Sequence, residues 1–198
     1  MLEKNKTALL VIDMQNDNIS AGGKSEGTGA VEHAQKQKIV PHISQLISAA
    51  HENNIPVIHN QFVVKNDGKA IGSNAPIFIN MKNNQSAFSG TWGAKTVDGI
   101  DIAPEDFVLQ RDRMSAFHGT ELNTILKNLD IDTIIITGVW TNMAVEHTAR
   151  DGADYGYKVI VVPDATATIN DEWQSAAMNY AMNNVATKML TEEIIKEL

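Results

Sequence analysis

The chain has 198 residues, a formal net charge of -8 and a pI near 5.2. Its basic residues are scattered singly, which excludes the clustered positive face that a nucleic-acid backbone requires. The length suits one domain, residues 1–198, and the absence of cysteine excludes disulfides and thiolate metal sites.

The opening Met1-Leu2-Glu3-Lys4-Asn5-Lys6 leads into an apolar run that stops at Asp13, with neither the length nor the cleavage site of a signal peptide. No apolar stretch approaches the roughly 20 residues that span a bilayer. The expectation is a cytoplasmic protein with no membrane partner.

In chain order, residues 8–12 read as a strand buried on both faces, because they are short, continuously apolar and rich in branched side chains. A long Gly- and Asn-rich stretch follows, 16–29, then a helical pattern over 31–53 and a weaker strand over 56–59. A second long stretch, 64–103, separates these from a strand at 107–110 and a helix at 120–129. Residues 133–137 and 159–162 are again continuously apolar strands, with a helix at 142–155 between them. A helix at 172–183, a weak strand at 185–188 and a short helix from Thr191 complete the pattern.

This alternation predicts a parallel sheet covered by helices on both faces, with right-handed crossovers. Ligands of such sheets bind beyond the carboxyl ends of the strands, near the point where strand order reverses. Residues that follow strands therefore take priority: Asp13, Arg111 and the run from Gly138 to Ala144. The two long stretches are expected to cover or build the site.

Several patterns invite other chemistry and fail on context. Gly23-Lys24-Ser25 follows the first strand as in a phosphate-binding loop, yet Asn18 stands where that motif needs glycine and no apolar helix follows Ser25. Gly23-Lys24-Ser25-Glu26-Gly27 has the letters of a nucleophile elbow but sits mid-loop, and no dinucleotide fingerprint occurs. The six histidines lack the spacing of a metal site, so no metal or cofactor is expected. His59 closes a strand and is a candidate to line the pocket. Glu146, Arg150 and Asp154 are spaced to brace a single helix.

Gly138-Val139-Trp140-Thr141-Asn142-Met143-Ala144 passes sharply from a buried strand into a helix. The first-turn amides of such a helix lack internal partners and offer a place for an anion or a developing oxyanion. Three blocks, Asp13-Met14-Gln15-Asn16-Asp17, residues 113–122 and residues 138–151, together resemble the signatures of the isochorismatase-like, or cysteine hydrolase, family. The resemblance runs from about residue 7 to residue 189.

It implies a three-layer α/β/α sandwich with a six-stranded, mainly parallel sheet in Rossmann-like order, and a homo-oligomer, dimer or tetramer. The family's amidases use an aspartate, a lysine and a cysteine, with a non-proline cis peptide shaping the oxyanion hole. Carried over by position, the aspartate is Asp13, Arg111 stands for the lysine, Ala144 stands for the cysteine, and the cis bond joins Val139 and Trp140. The chemistry is coherent: a carboxylate takes a thiol's proton and later hands it to a leaving amine, while a cation keeps the carboxylate ionised.

The departures matter. Ala144 carries no nucleophile, and Arg111 keeps a charge but cannot readily release its proton. Asn18 stands where many members place an aromatic. The surrounding pocket is expected to include Asn18, His59, Phe62, Trp92, Met114, Phe117, Trp140 and Met143, with Trp92 anchoring a lid. A small, neutral or anionic amide, ureido or carbamoyl compound is the expected substrate, with Arg111 and the helix start favouring negative charge. Ala144 leaves three readings: an engineered deletion of the thiol in an amidase framework, a natural thiol-free lineage that cleaves a vinyl ether by acid chemistry at Asp13, and a silent pocket that binds a small metabolite.

Overall fold

A computed structural model describes residues 2–198. Six strands form one all-parallel sheet: β1 (Thr7–Ile12), β2 (Val57–Phe62), β3 (Phe107–Arg111), β4 (Thr133–Val139), β5 (Lys158–Ala167) and β6 (Thr187–Lys188). Their order is β3-β2-β1-β4-β5-β6, so the direction of growth reverses between β1 and β4.

Period-two alternation along each central strand divides the core in two. Leu10 and Ile12 of β1, Ile134 and Ile136 of β4, and Val161 of β5 face one layer of helices. That layer holds α5 (Leu122–Asn128), α6 (Glu146–Asp154) and α7 (Asp171–Ala176), which contribute residues such as Leu126, Ala149 and the following Met178. Leu9, Val11, Ile135 and Ile160 point the other way, towards α2 (Ala30–Gln37), α3 (Ile39–Glu52) and α8 (Thr191–Glu197). The three-layer expectation holds, and both faces of the central strands are buried because helices cover both. No described helix is long and apolar enough to cross a membrane.

Four elements differ from the sequence pattern. The single helix expected over 31–53 breaks at Lys38, which adopts a left-handed conformation with φ 53°. The break puts Pro41 in the first turn of α3, where a missing N–H costs nothing; a continuous helix would have driven its ring against the carbonyl of Gln37. The long stretch after β2 contains a helix of its own, α4 (Pro76–Asn84), opened by proline at its first position. Between β1 and α2 lies one short turn of helix, α1 (Asn16–Ile19). Last, the helix expected at 142–155 opens as a π-helical turn, Thr141–Val145, before α6 begins, and a second π turn, Ala177–Ala181, extends α7.

A tight backbone approach lies at the reversal point. Gly138 pairs with Ile12 across β1 and β4 and has φ 104°, and a β-carbon built on it would sit 2.0 Å from the Ile12 carbonyl oxygen. Both the conformation and the space exclude a side chain. Gly138→Ala is therefore expected to lower the unfolding free energy by about 3 kcal/mol, measured by urea denaturation.

Candidate active site

Asp13 follows β1 in a left-handed conformation (φ 50°). Its N–H donates to the Asn60 carbonyl at 2.8 Å, and its own carbonyl accepts from Gln15 N–H at 2.7 Å and from Asn18 Nδ2 at 2.8 Å. These bonds fix the backbone, so the carboxylate is aimed rather than free to wander.

Arg111, the last residue of β3, meets that carboxylate with both terminal nitrogens: Nη1 donates to Oδ1 at 2.7 Å and Nη2 to Oδ2 at 2.9 Å. Nε donates to the Ser115 carbonyl at 3.1 Å and Nη2 to the Met114 carbonyl at 2.8 Å. The guanidinium also lies 5.8 Å from the centre of the Phe62 ring. The pair is buried, which raises the Asp13 carboxyl above its ordinary value; the neighbouring guanidinium opposes that rise without cancelling it.

The peptide bond between Val139 and Trp140 is cis. Beyond it the Trp140 carbonyl accepts from the N–H groups of Met143 (2.9 Å) and Val145 (3.3 Å), winding the π turn that carries Ala144. This turn is anchored from beneath: Thr141 Oγ1 donates to Gln174 Oε1 at 2.6 Å, and Gln174 Nε2 donates in turn to Thr166 Oγ1 on β5 at 3.0 Å. Thr148 links the second and third sequence blocks, donating to the Ala144 carbonyl at 2.6 Å and accepting from Ala116 N–H at 3.0 Å.

Asp13, Val139, Trp140 and Ala144 share one cavity of about 250 Å³. Of the other expected residues, Asn18, Phe62, Met114 and Met143 also line it. Arg111 does not; it stands behind Asp13 with four of its five N–H groups engaged by Asp13 and by the Met114 and Ser115 carbonyls.

Three expected pocket residues lie elsewhere. His59 alternates with Asn60 along β2 and faces the α3 side, where its Nε2 lies 3.1 Å from Asp106 Oδ2; His51 Nε2 lies 2.7 Å from the other oxygen. Burial holds the His59 imidazole below its ordinary value despite that carboxylate. Phe117 is packed in the core against Tyr155 and Tyr157, with ring centres 5.1 and 5.8 Å away. Trp92 is half exposed, and its loop is pinned rather than hinged: Asn16 Nδ2 donates to the Trp92 carbonyl at 3.0 Å, and Asp17 N–H to the Gly93 carbonyl at 3.0 Å.

The sequence reading missed the opposite wall. One face of α4, Ile77, Asn80, Met81 and Asn84, lines the cavity at helical spacing, and Lys24 reaches it from the loop after β1. Two buried side chains hold these loops. Gln15 Nε2 donates to the carbonyls of Phe62 (3.0 Å) and Ala94 (2.8 Å), and Asp17 Oδ2 accepts from Ala87 N–H at 2.7 Å. Among the described residues, no group of three histidine, aspartate or glutamate side chains converges as a metal site.

The chain belongs to the isochorismatase family of hydrolases: the isochorismatase domain model matches residues 7–193. It is 32% identical over 187 residues to the ureidoacrylate amidohydrolase RutB of Pantoea ananatis, covering 88% of this chain and 74% of that protein. A probable inactive nicotinamidase of Arabidopsis thaliana is 33% identical over 193 residues, covering 93% of this chain and 92% of the relative. Among solved structures, a cysteine hydrolase from Pseudomonas syringae pv. phaseolicola superposes with a TM-score of 0.83 at 25% identity, covering 98% of this chain and 93% of that one.

Removing one partner of a buried ion pair leaves the other charge uncompensated. Arg111→Met should therefore destabilise the protein by about 3–5 kcal/mol at neutral pH. A carboxyl whose folded value is raised contributes stability below its unfolded value and loses it as pH rises through the folded one. Loss of the guanidinium pushes Asp13 higher still. The deficit of Arg111→Met relative to the parent should thus shrink as pH falls from 7 towards 4, read from denaturation midpoints across that range.

Proposed function

We propose that the cavity is the site of a C–N hydrolase framework for small amide, ureido or carbamoyl compounds, with Ala144 at the position of the nucleophile. The observation that carries this reading is the meeting of Asp13, Val139, Trp140 and Ala144 on the wall of one cavity. The 32% identity to a ureidoacrylate amidohydrolase supports the same class of substrate.

With cysteine at 144, Asp13 takes the thiol proton and the sulfur attacks the carbonyl carbon, while backbone N–H groups at residues 140 and 144 receive the developing oxyanion. The C–N bond breaks as Asp13 returns the proton to the departing nitrogen. Water, deprotonated by Asp13, then cleaves the thioester, releases the acid and restores the thiol. Arg111 holds the carboxylate in place throughout and exchanges no proton. With alanine at 144 the first bond cannot form, and the protein holds its ligand without acyl transfer.

A second reading rests on the raised Asp13 carboxyl, which favours a proton on that group. In it Asp13 protonates an enol ether and water completes the cleavage, with no need for a thiol.

Ala144→Cys is expected to confer hydrolysis of small amides, ureas or carbamoyl compounds at least 100-fold above the parent, in a release assay for ammonia or amine, and the further change Asp13→Asn should abolish it. A folded Ala144→Cys protein with no activity across all three classes would defeat the amidase reading; turnover of an enol ether by the parent would favour the second. Because the carboxyl must be ionised to take the thiol proton, the acidic limb of the Ala144→Cys pH–rate profile should lie above 3.8, the ordinary aspartate value.

A further inference from the structure

Outside the cavity, one buried titratable side chain joins two of its walls. His33 stands near the start of α2 and is 4% exposed. Its Nδ1 accepts from the Thr168 N–H, just beyond β5, at 3.2 Å. A backbone N–H can only donate, so the ring's proton sits on Nε2, which lies 3.3 Å from Asp171 Oδ1 at the start of α7.

Both sides of this bond lead to the cavity. The Thr168 hydroxyl donates to Asn142 Oδ1 at 2.5 Å, in the π turn whose next residues, Met143 and Ala144, line the cavity. In the other direction α2 runs back through Gly29, where a β-carbon would lie 2.5 Å from the Ile169 carbonyl oxygen, to Thr28, Ser25 and Lys24 in the lining. The loop after β1 therefore rests on the segment that leaves β5, and His33 makes a buried bond across that seam.

A second proton on the ring sets two donors face to face. Nδ1–H then meets Thr168 N–H, and that amide, on a residue 1% exposed, is left without an acceptor. The charged groups facing the ring draw it away from Thr168: Asp171 attracts an imidazolium, but it is exposed and shared with Lys36, whose own charge opposes the proton. On the other elements packed against α2, Asp17 of α1 accepts from the Lys24 and Ala87 N–H groups, Asp164 of β5 accepts from Thr191 N–H, and His42 of α3 lies 2.7 Å from the Asp164 carbonyl. Burial is the largest influence and holds the ring below its ordinary value of 6.5. A base lowered in this way adds stability that is fully present above 6.5 and is lost as pH falls towards the folded value.

We propose that His33 is a proton-operated latch on the cavity wall: its neutral ring ties α2 to the end of β5, and its protonated ring releases that tie, so that mild acid loosens the segment from Lys24 to His33. The latch does not depend on which bond is cleaved in the cavity.

Amide hydrogen exchange of the whole chain, followed by NMR between pH 7 and pH 5 and corrected for intrinsic rates, tests it. Protection at Thr168 should fall roughly tenfold or more over that range, as linkage gives for a ring that titrates near 6.5 once released. Ser25, whose N–H donates to the Asp17 carbonyl, should follow, and at pH 5 Thr168 should exchange faster than Leu10 in the centre of β1, the mark of a local release. His33→Asn sets an uncharged acceptor near the place of Nδ1 and should hold Thr168 equally at both pH values; if that variant does not fold, the measurement on the parent decides alone. Protection at Thr168 that stays constant to pH 5, the same fall in His33→Asn, or exchange of Thr168 no faster than that of Leu10 overturns the latch. A fall at Thr168 that Ser25 does not share overturns its link to the cavity. None of these outcomes touches the C–N hydrolase reading, because none measures turnover.

Discussion

The site is organised by a buried ion pair that spans three strands. Arg111 ends β3 and Asp13 follows β1, with β2 between them, so the guanidinium crosses the end of β2 and lies against the Phe62 ring to reach its partner. Taking both charges out of water is costly, and mutual attraction offsets that only when the remaining donors are also satisfied. Here four of the five guanidinium N–H groups are engaged: two grip the carboxylate, and two more bonds go to the carbonyls of Met114 and Ser115. Those carbonyls belong to the segment that leads towards Ala116 and Thr148, so the pair also locates the loop that backs the site.

Strand order explains why a second part of the chain arrives at the same place. The reversal between β1 and β4 opens a crevice beyond their ends, and the residues that leave these two strands line it. Gly138 lets β4 close against the Ile12 backbone, and the π turn that follows β4 carries Ala144. An acid from β1 and a helix start from β4 therefore become neighbours through topology, although well over a hundred residues separate them in the chain.

How much of this was legible follows from the same physics. β1, β4 and β5 were legible because strands covered on both faces read as unbroken apolar runs, and Asp13 and Ala144 because they leave those strands in distinctive blocks. His59 and Phe62 lie three residues apart on one strand and so point to opposite faces; both were expected in the pocket, and strand parity allowed only one. Trp92 was read as a lid because glycines flank it, but its loop is tied down by the Asn16 side chain and the Asp17 backbone N–H, groups that lie far from it along the chain. α4 escaped notice because Asn80, Asn83 and Asn84 are weak helix formers, and its helical state rests on Phe78 packing beside Phe62 and Val64. Lys24 was set aside with the phosphate-loop pattern that contained it, yet it borders the cavity.

The walls of the cavity are held independently of residue 144. Gln15 clamps the Phe62 and Ala94 backbones, Asp17 joins the Lys24 and Ala87 loops, Gln174 anchors Thr141, and Arg111 fixes Asp13; none of these bonds uses the side chain of Ala144. Ala144 itself is buried among core residues and also borders the cavity of about 250 Å³. On the proposed reading, exchange of a methyl for a thiol at 144 therefore leaves the bonds that position the acid, the guanidinium and the cavity walls in place.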